Sequence, residues 1–323
     1  MKIVYEIERL STNGGIEHIL TDRMNYMADV WGWDITVITL LEKDTLPHYA
    51  LSGNVSVIGL GIKSSGLLMC TKALWKLNKV IKQLNPDIYV TFQTIGALSC
   101  LFRTHNVKTI YEMHGARKYA YHPLATYTAE IFANAVTVLT SEQKKDFPRA
   151  KRVEIIPNFT LINARGIPDY GSKTIVAAGR KSYQKNFKRL KYLWERVAPR
   201  HKEWTLKIHH DTKDMATAYI EGSLFVMTSR FEGFPMVLIE SMRCGLPVIA
   251  FDCPYGPSTI IEDGKNGFLI PYDDDDLFVE KLTYLMENPQ ARQQMGEYAK
   301  MSAERFSQEH VMPIWKNFYE SIV

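Results

Sequence analysis

The sequence predicts an α/β protein built from two doubly wound units, each around a parallel sheet. Three observations predict it. Short β-rich runs alternate with helical stretches; that rhythm breaks once, at a segment of turn formers, and then restarts; and 323 residues, 46% of them hydrophobic, suffice for two cores in domains of about 150 residues each.

In the first half KIVYEI, DITVITL, VSVIGL, DIYVTF, KTIYEM and AVTVLT read as strands, with stretches such as ALWKLNKVIKQL as crossover helices. EIIPNF closes this half, and LINARGIPDYGSK follows as the linker because it gathers breakers and turn residues. TIVAAGR then restarts the pattern as a strand, followed by a helix over NFKRLKYLWERVAPRH and strands WTLKI and SLFVMTS. A helix from Pro235 to Cys244, a strand LPVIAF and a helix DLFVEKLTYLMEN complete the unit. The tail HVMPIWKNFYESIV is amphipathic with aromatics at helical spacing, the pattern of a packing surface, and is expected to brace the two domains.

Composition excludes several classes. The longest apolar runs fall well short of the roughly 18 to 20 residues that span a bilayer, and MKIVYEIERL lacks the basic start and long apolar stretch of a signal peptide. A reducing cytoplasm is the expected location. Cys70, Cys100, Cys244 and Cys253 have no CxxC spacing and read as small buried hydrophobes. The net charge of +4 is uneven: residues 1–160 hold 18 Lys+Arg against 14 Asp+Glu, and residues 161–323 hold 21 of each. Lys72, Lys76, Lys79 and Lys82 line up on one face of a predicted helix. That stripe is either a solvated face or a patch for anionic lipid or a phosphate-bearing acceptor, with peripheral attachment at the inner face of the membrane. No aromatic-interleaved basic stretch accompanies it, so no nucleic acid partner is expected.

The chemistry concentrates in RFEGFPMVLIE. Pro235 suits a first helical position and Gly245 the position just past the end, so the helix start points its unpaired N–H groups beyond the carboxyl edge of SLFVMTS, where open α/β sheets bind ligands. A phosphate fits there. Glu232 lies outside the helix start, and its plain reading is a carboxylate that favours the dipole. Glu240 sits roughly 7 to 8 Å further along the axis, beyond the dipole's reach, and is either a solvated side chain or a grip on vicinal hydroxyls. Arg180 and Lys185, in the loop after TIVAAGR, could hold a diphosphate and stabilise it as a leaving group. Gly14 and Gly15, after the first strand, would let backbone approach a phosphate, or simply make a tight turn. His114, after KTIYEM, reads alone as a core histidine. Asp273 to Asp276 precede a helix and match a helix start better than a metal cage.

The GR of Arg180 followed by QKN, then SRFEGFPMVLIESMRCGLPVIAFDCPYGP and NGFLIPYDD, in that order, resemble the retaining glycosyltransferases of family 4, with the GT-B fold. IIPNF matches that family's inter-domain crossing. The resemblance implies two Rossmann-like domains facing a cleft: residues 1–160 on the acceptor side, 161–305 for the nucleotide-sugar donor, and 306–323 as a helix crossing back. It implies that Glu240 holds the donor ribose and Glu232 the transferred sugar, with backbone N–H groups of Gly233, Phe234, Pro235's neighbours Met236 and Val237 near sugar and phosphates. Arg180 and Lys185 become the diphosphate pair, Gly14 and Gly15 the glycine loop, and His114 the histidine facing the donor sugar. Family retention implies front-face attack, with the departing phosphate taking the acceptor's proton, no covalent nucleophile, no metal and no cofactor besides the donor substrate.

One departure stands out. WTLKIHHDTKDMATAYIEGSLFVMTS passes between strands with less chain than the family uses, so a helix and a strand are expected to be missing from the donor domain. Beside a hexosyltransferase acting on a glycan or lipid-linked acceptor in bacterial surface polysaccharide synthesis stand two further readings: a nucleotide-sugar-binding protein without turnover, and a nucleotide-sugar epimerase.

Overall fold

Every strand pairing is parallel, which requires a crossover between neighbours and accounts for the alternation in the sequence. The computed structural model describes residues 1–323 except 64–66, 103–106, 116, 118–122, 163–165, 211 and 213, with backbone alone for 67–69. The linker LINARGIPDYGSK and the segment RKYAYHPLATYTAE, which reads as a shortened acceptor loop, therefore lie partly outside the described residues. The chain divides into two units, Met1–Ile156 with Met312–Val323, and Pro157–Val311.

Among the described residues the first unit holds seven strands: β1 (Lys2–Ile7), β2 (Asp34–Thr39), β3 (Val55–Gly59), β4 (Ile88–Thr91), β5 (Lys108–Met113), β6 (Ala135–Val138) and β7 (Val153–Ile155), in the order β3-β2-β1-β4-β5-β6-β7. Its helices are α1 (Gly15–Asp29), α2 (Leu67–Leu84), α3 (Thr94–Ser99), α4 (Pro123–Phe132) and α5 (Ser141–Lys144). The central strands are covered on both faces and so read as near-continuous apolar runs. On one face α2 buries Ala73, Leu77 and Ile81 against Val4, Ile38 and Tyr89, while α4 buries Ala125 and Ala129 against Tyr111, Val136 and Val138.

The second unit holds β8 (Thr174–Ala178), β9 (Thr205–His209), β10 (Leu224–Met227), β11 (Val248–Asp252) and β12 (Gly267–Pro271), in the order β12-β11-β10-β8-β9. The helices are α6 (Phe187–Val197), α7 (Met215–Ile220), α8 (Met236–Arg243), α9 (Pro257–Ile260), α10 (Asp275–Glu287) and α11 (Pro289–Ala303). A complete doubly wound sheet runs 3-2-1-4-5-6. Here, among the described residues, the third strand is absent and β9 is the edge, with only the short α7 between β9 and β10. The other five positions keep their register, since the missing strand would pair with β9 alone.

The last helix, α12 (Gln308–Ile322), joins the first unit from Met312 on. Tyr319 meets the Tyr5 hydroxyl at 2.8 Å, and Trp315 lies 4.0 Å from the Arg23 guanidinium carbon. Cys100, Cys244 and Cys253 are buried, as small hydrophobes would be; Cys70 is only half-buried and lines a cavity.

Candidate active site

In the second unit the candidate residues come from three loops at the carboxyl edge of the sheet. After β8 the chain turns at Gly179, whose φ of +143° few other residues adopt and whose missing Cβ leaves room for the Lys185 stem, 3.0 Å from where that atom would stand. Asn186, in left-handed conformation, then opens α6. This turn delivers Lys185 to the loop after β10: its Nζ donates to Glu232 Oε1 at 2.8 Å, and both side chains are largely buried. Gln184 Nε2 donates to Glu232 Oε2 at 3.0 Å and to the Phe231 carbonyl at 3.0 Å. Both oxygens of Glu232 are thus fixed by one dipeptide. Arg230 is held by Asn186 Oδ1 at 3.1 Å and lies against the Tyr183 ring at 4.4 Å. Arg180 is exposed and joins no ion pair among the described residues.

The helix after Glu232 begins one residue later than the sequence suggests. Pro235 stands outside α8 as its N-cap, with ψ of 90°, and Met236 is the first helical residue. The cause is tertiary. Gly256, with φ of +99°, brings the loop after β11 onto the proline ring, and a Cβ there would stand 2.4 Å from Pro235 Cδ. Pro235 offers no side-chain cap, so the N–H groups of the first turn, including those of Met236 and Val237, are presented at the site without one. Gly233 is partly exposed and Phe234 is buried against Phe306. Gly245, φ +84°, follows the helix end as expected.

Glu240 is half-buried rather than solvated. It accepts the Tyr219 hydroxyl at 2.8 Å, and Tyr219 packs edge-on against Phe225. Burial first, and the Glu240 carboxylate second, push the Tyr219 pKa well above its ordinary value, so the phenol stays a donor. Cys253 is pushed up to about 12 by burial and then by Glu232, which leaves a neutral thiol with no nucleophilic character near the site. In the acidic run, Asp274 caps α10 through the Leu277 N–H at 2.8 Å, Asp275 pairs with Arg189 and Asp276 with Arg196. Each of these three carboxylates has a structural occupation.

In the first unit Gly14 is the N-cap of α1 and Gly15 its first residue, with nothing within 4 Å of a Cβ built on Gly15. His114 follows β5, and its Nε2 donates to Glu112 Oε2, 3.1 Å away. Behind it Arg23 Nη2 reaches the two Glu112 oxygens at 2.9 and 2.8 Å, with both partners 1% exposed. Burial drives the Glu112 carboxyl up, but Arg23 and then His114 outweigh it and hold it below its ordinary value. His114 and Gln93 line a cavity of about 560 Å³ whose remaining wall is mainly Ile16, Phe92, Tyr111 and Met113. Sequence reasoning missed Gln184 and Tyr219, which hold Glu232 and Glu240, and Glu112, which holds His114 and is itself held by Arg23.

Residues 164–302 match the family model described as Glycosyl transferases group 1. Over its whole length the chain is similar to an uncharacterized glycosyltransferase of Haemophilus influenzae, 24% identical over 354 residues that cover 98% of this chain and 99% of the relative. It is also similar to the amylovoran biosynthesis glycosyltransferase AmsD of Erwinia amylovora, 26% identical over 360 residues with 98% and 99% covered. Both alignments are longer than the 323 residues of this chain, so each carries gaps opposite it. Among solved structures, a TarM mutant of S. aureus superposes with a TM-score of 0.80 at 17% identity, covering 99% of this chain and 100% of that one. The fold is GT-B, and the stretch that matches the group 1 model lies within the second unit.

Proposed function

We propose that the chain is a retaining glycosyltransferase that moves a hexose-type sugar from a nucleoside-diphosphate donor to a glycan or lipid-linked acceptor in bacterial surface polysaccharide synthesis. The observation that carries this reading is Lys185 held against Glu232 beside the uncapped start of α8, with Glu240 further along the same helix. The names of the relatives support the polysaccharide: AmsD is an amylovoran biosynthesis enzyme, and the TarM structure was a complex with UDP and alpha-GlcNAc-glycerol.

In this reading the donor diphosphate lies at the first turn of α8, where unpaired N–H groups and the dipole favour an anion. Glu240 accepts the ribose hydroxyls and Glu232 those of the sugar. Lys185 shares its charge between Glu232 and the phosphates, and Arg180 adds a second cation. As the anomeric carbon–oxygen bond breaks, negative charge grows on the leaving phosphate, and these two cations stabilise it without a metal. The acceptor hydroxyl attacks from the face the phosphate leaves, and its proton passes to a phosphate oxygen. Gln184 keeps Glu232 oriented while Lys185 moves. The catalytic contribution of the protein is thus orientation and electrostatics.

A calorimetric titration of the chain with UDP, GDP and ADP tests the site. One nucleotide is expected to bind, and Glu240→Gln is expected to weaken it about 10- to 100-fold, the weight of a hydrogen bond to a charged group. The absence of the third strand favours one alternative, a binding protein without turnover. Donor binding with no transferred sugar would establish that alternative, and product of inverted anomeric configuration would overturn retention.

A further inference from the structure

We infer that the helical layer formed by α2, α3 and α4 docks on an anionic lipid bilayer. These three helices lie side by side on one face of the seven-stranded sheet, with α3 between the other two. Helix α2 turns Ala73, Leu77 and Ile81 inward and leaves Lys72, Trp75, Lys76, Lys79 and Lys82 exposed along the opposite side. It contains no acidic residue at all. The four lysines therefore act as one field and not as half of an ion-pair lattice.

The neighbouring helices supply what a merely solvated face would not. Residues 94–102 carry no charge, and Leu101 and Phe102 are exposed at their end. On α4 the exposed positions are Pro123, Leu124, 79% accessible, Tyr127, one helical turn further on, and Phe132. The only charge in α4, Glu130, is buried and paired with Arg117. Across all three helices no carboxylate is exposed, while large apolar side chains are.

This combination matches an interface with lipid better than one with protein. Exposed apolar and aromatic side chains beside a row of lysines with no acid among them suit insertion among anionic headgroups. Trp75 is 66% exposed, and Lys79 Nζ lies 5.4 Å from its ring centroid, so an aromatic body and a cation reach the same depth. A lysine near an anionic surface strengthens binding about fivefold. Four together with the aromatics give reversible attachment, though no described helix is long and apolar enough to cross a membrane.

Flotation of the full chain with phosphatidylcholine vesicles, and with vesicles of equal phosphatidylcholine and phosphatidylglycerol, tests the inference. Binding is expected to the anionic vesicles alone and to fall steeply with salt. Lys76→Gln combined with Lys79→Gln is expected to weaken it on the order of 25-fold, and Trp75→Ala to weaken it without changing its salt dependence. UDP titration on the same variants reports on the donor site separately and is expected to be unchanged. Equal binding to both vesicle types, no binding to either, or binding that survives loss of the lysines would overturn the inference. So would a concentration-dependent dimer abolished by Leu124→Ser, which would assign the face to a second copy of the chain.

Discussion

Two carboxylates, one in each unit, are held in different ways. Glu112 is sealed behind His114: Arg23 occupies both of its oxygens, and the rings of Tyr5 and Trp315 cover the guanidinium. Glu232 is held by Lys185 and Gln184, two side chains on a loop that a bound ligand could rearrange. A buried pair that cannot exchange partners fixes a position; a pair at a helix start can trade one partner for a substrate. The first arrangement orients His114, and the second is itself available for chemistry. The same separation runs through the packing. Glu6 in β1 is fully buried with one oxygen bonded to Thr91 at 2.7 Å and the other without a partner among the described residues, whereas in the second unit Asp275 reaches the Arg189 cation and Asp274 a helix N–H group.

The comparison breaks most sharply at Glu112. Glu112→Ala leaves the Arg23 cation buried without its counter-ion, and such losses cost about 3 to 5 kcal/mol. Urea denaturation is expected to show the first unit unfolding first in this variant, with the second unit's transition unchanged. A loss under about 1 kcal/mol, the weight of an exposed pair, would place Glu112 in the same class as the surface acids.

Glu6 gives the next largest effect, through pH. Burial raises its pKa from 4.5 to about 7, against the hydrogen bond from Thr91. The folded state therefore holds a proton that the unfolded chain has released, and the stability this contributes is present below pH 4.5 and is lost as the pH rises through 7. The amplitude is on the order of 3 kcal/mol for a fully buried group. Stability measured across that window is expected to fall with pH in the wild type, and Glu6→Gln is expected to flatten the slope. A slope that persists in the variant would assign it to another group.

In the second unit the effect moves from stability to turnover. Glu232→Gln keeps the shape and the Gln184 contact but removes the charge that Lys185 pairs with and that, in the proposed function, meets the sugar hydroxyls. A roughly 100-fold fall in kcat is expected, with nucleotide affinity little changed. Glu240→Gln is expected to do the reverse, and equal small effects from both would remove the division of labour.

The two units also differ in how much of them could be read without the structure. Both sheets were legible because parallel strands covered on two faces leave apolar runs such as IYVT and LFVM, and the shortened sheet was legible as missing chain between WTLKI and SLFVMTS. Glu232 and Glu240 were legible because one helix and its flank hold them both. Arg23 with Glu112 and Gln184 with Glu232 were not, since those pairs join residues 89 and 48 positions apart and no local period marks them. The start of α8 was misplaced by one residue for the same reason: Gly256, remote in sequence, decides where Pro235 sits.

Glycines sharpen the contrast at its smallest scale. A methyl group at Gly256 would meet Pro235 Cδ at 2.4 Å and force an unfavourable φ, so Gly256→Ala is expected to destabilise the second unit by about 1 to 3 kcal/mol. At Gly15 the same methyl group meets nothing within 4 Å and sits at the first residue of a helix. Gly15→Ala is expected to change stability by less than about 1 kcal/mol, in the stabilising direction, because alanine loses less backbone entropy in a helix. If the space above Gly15 is where a phosphate approaches the backbone, the same variant slows transfer while its melting temperature holds or rises. A variant that is both stable and fully active would leave Gly15 as a turn residue.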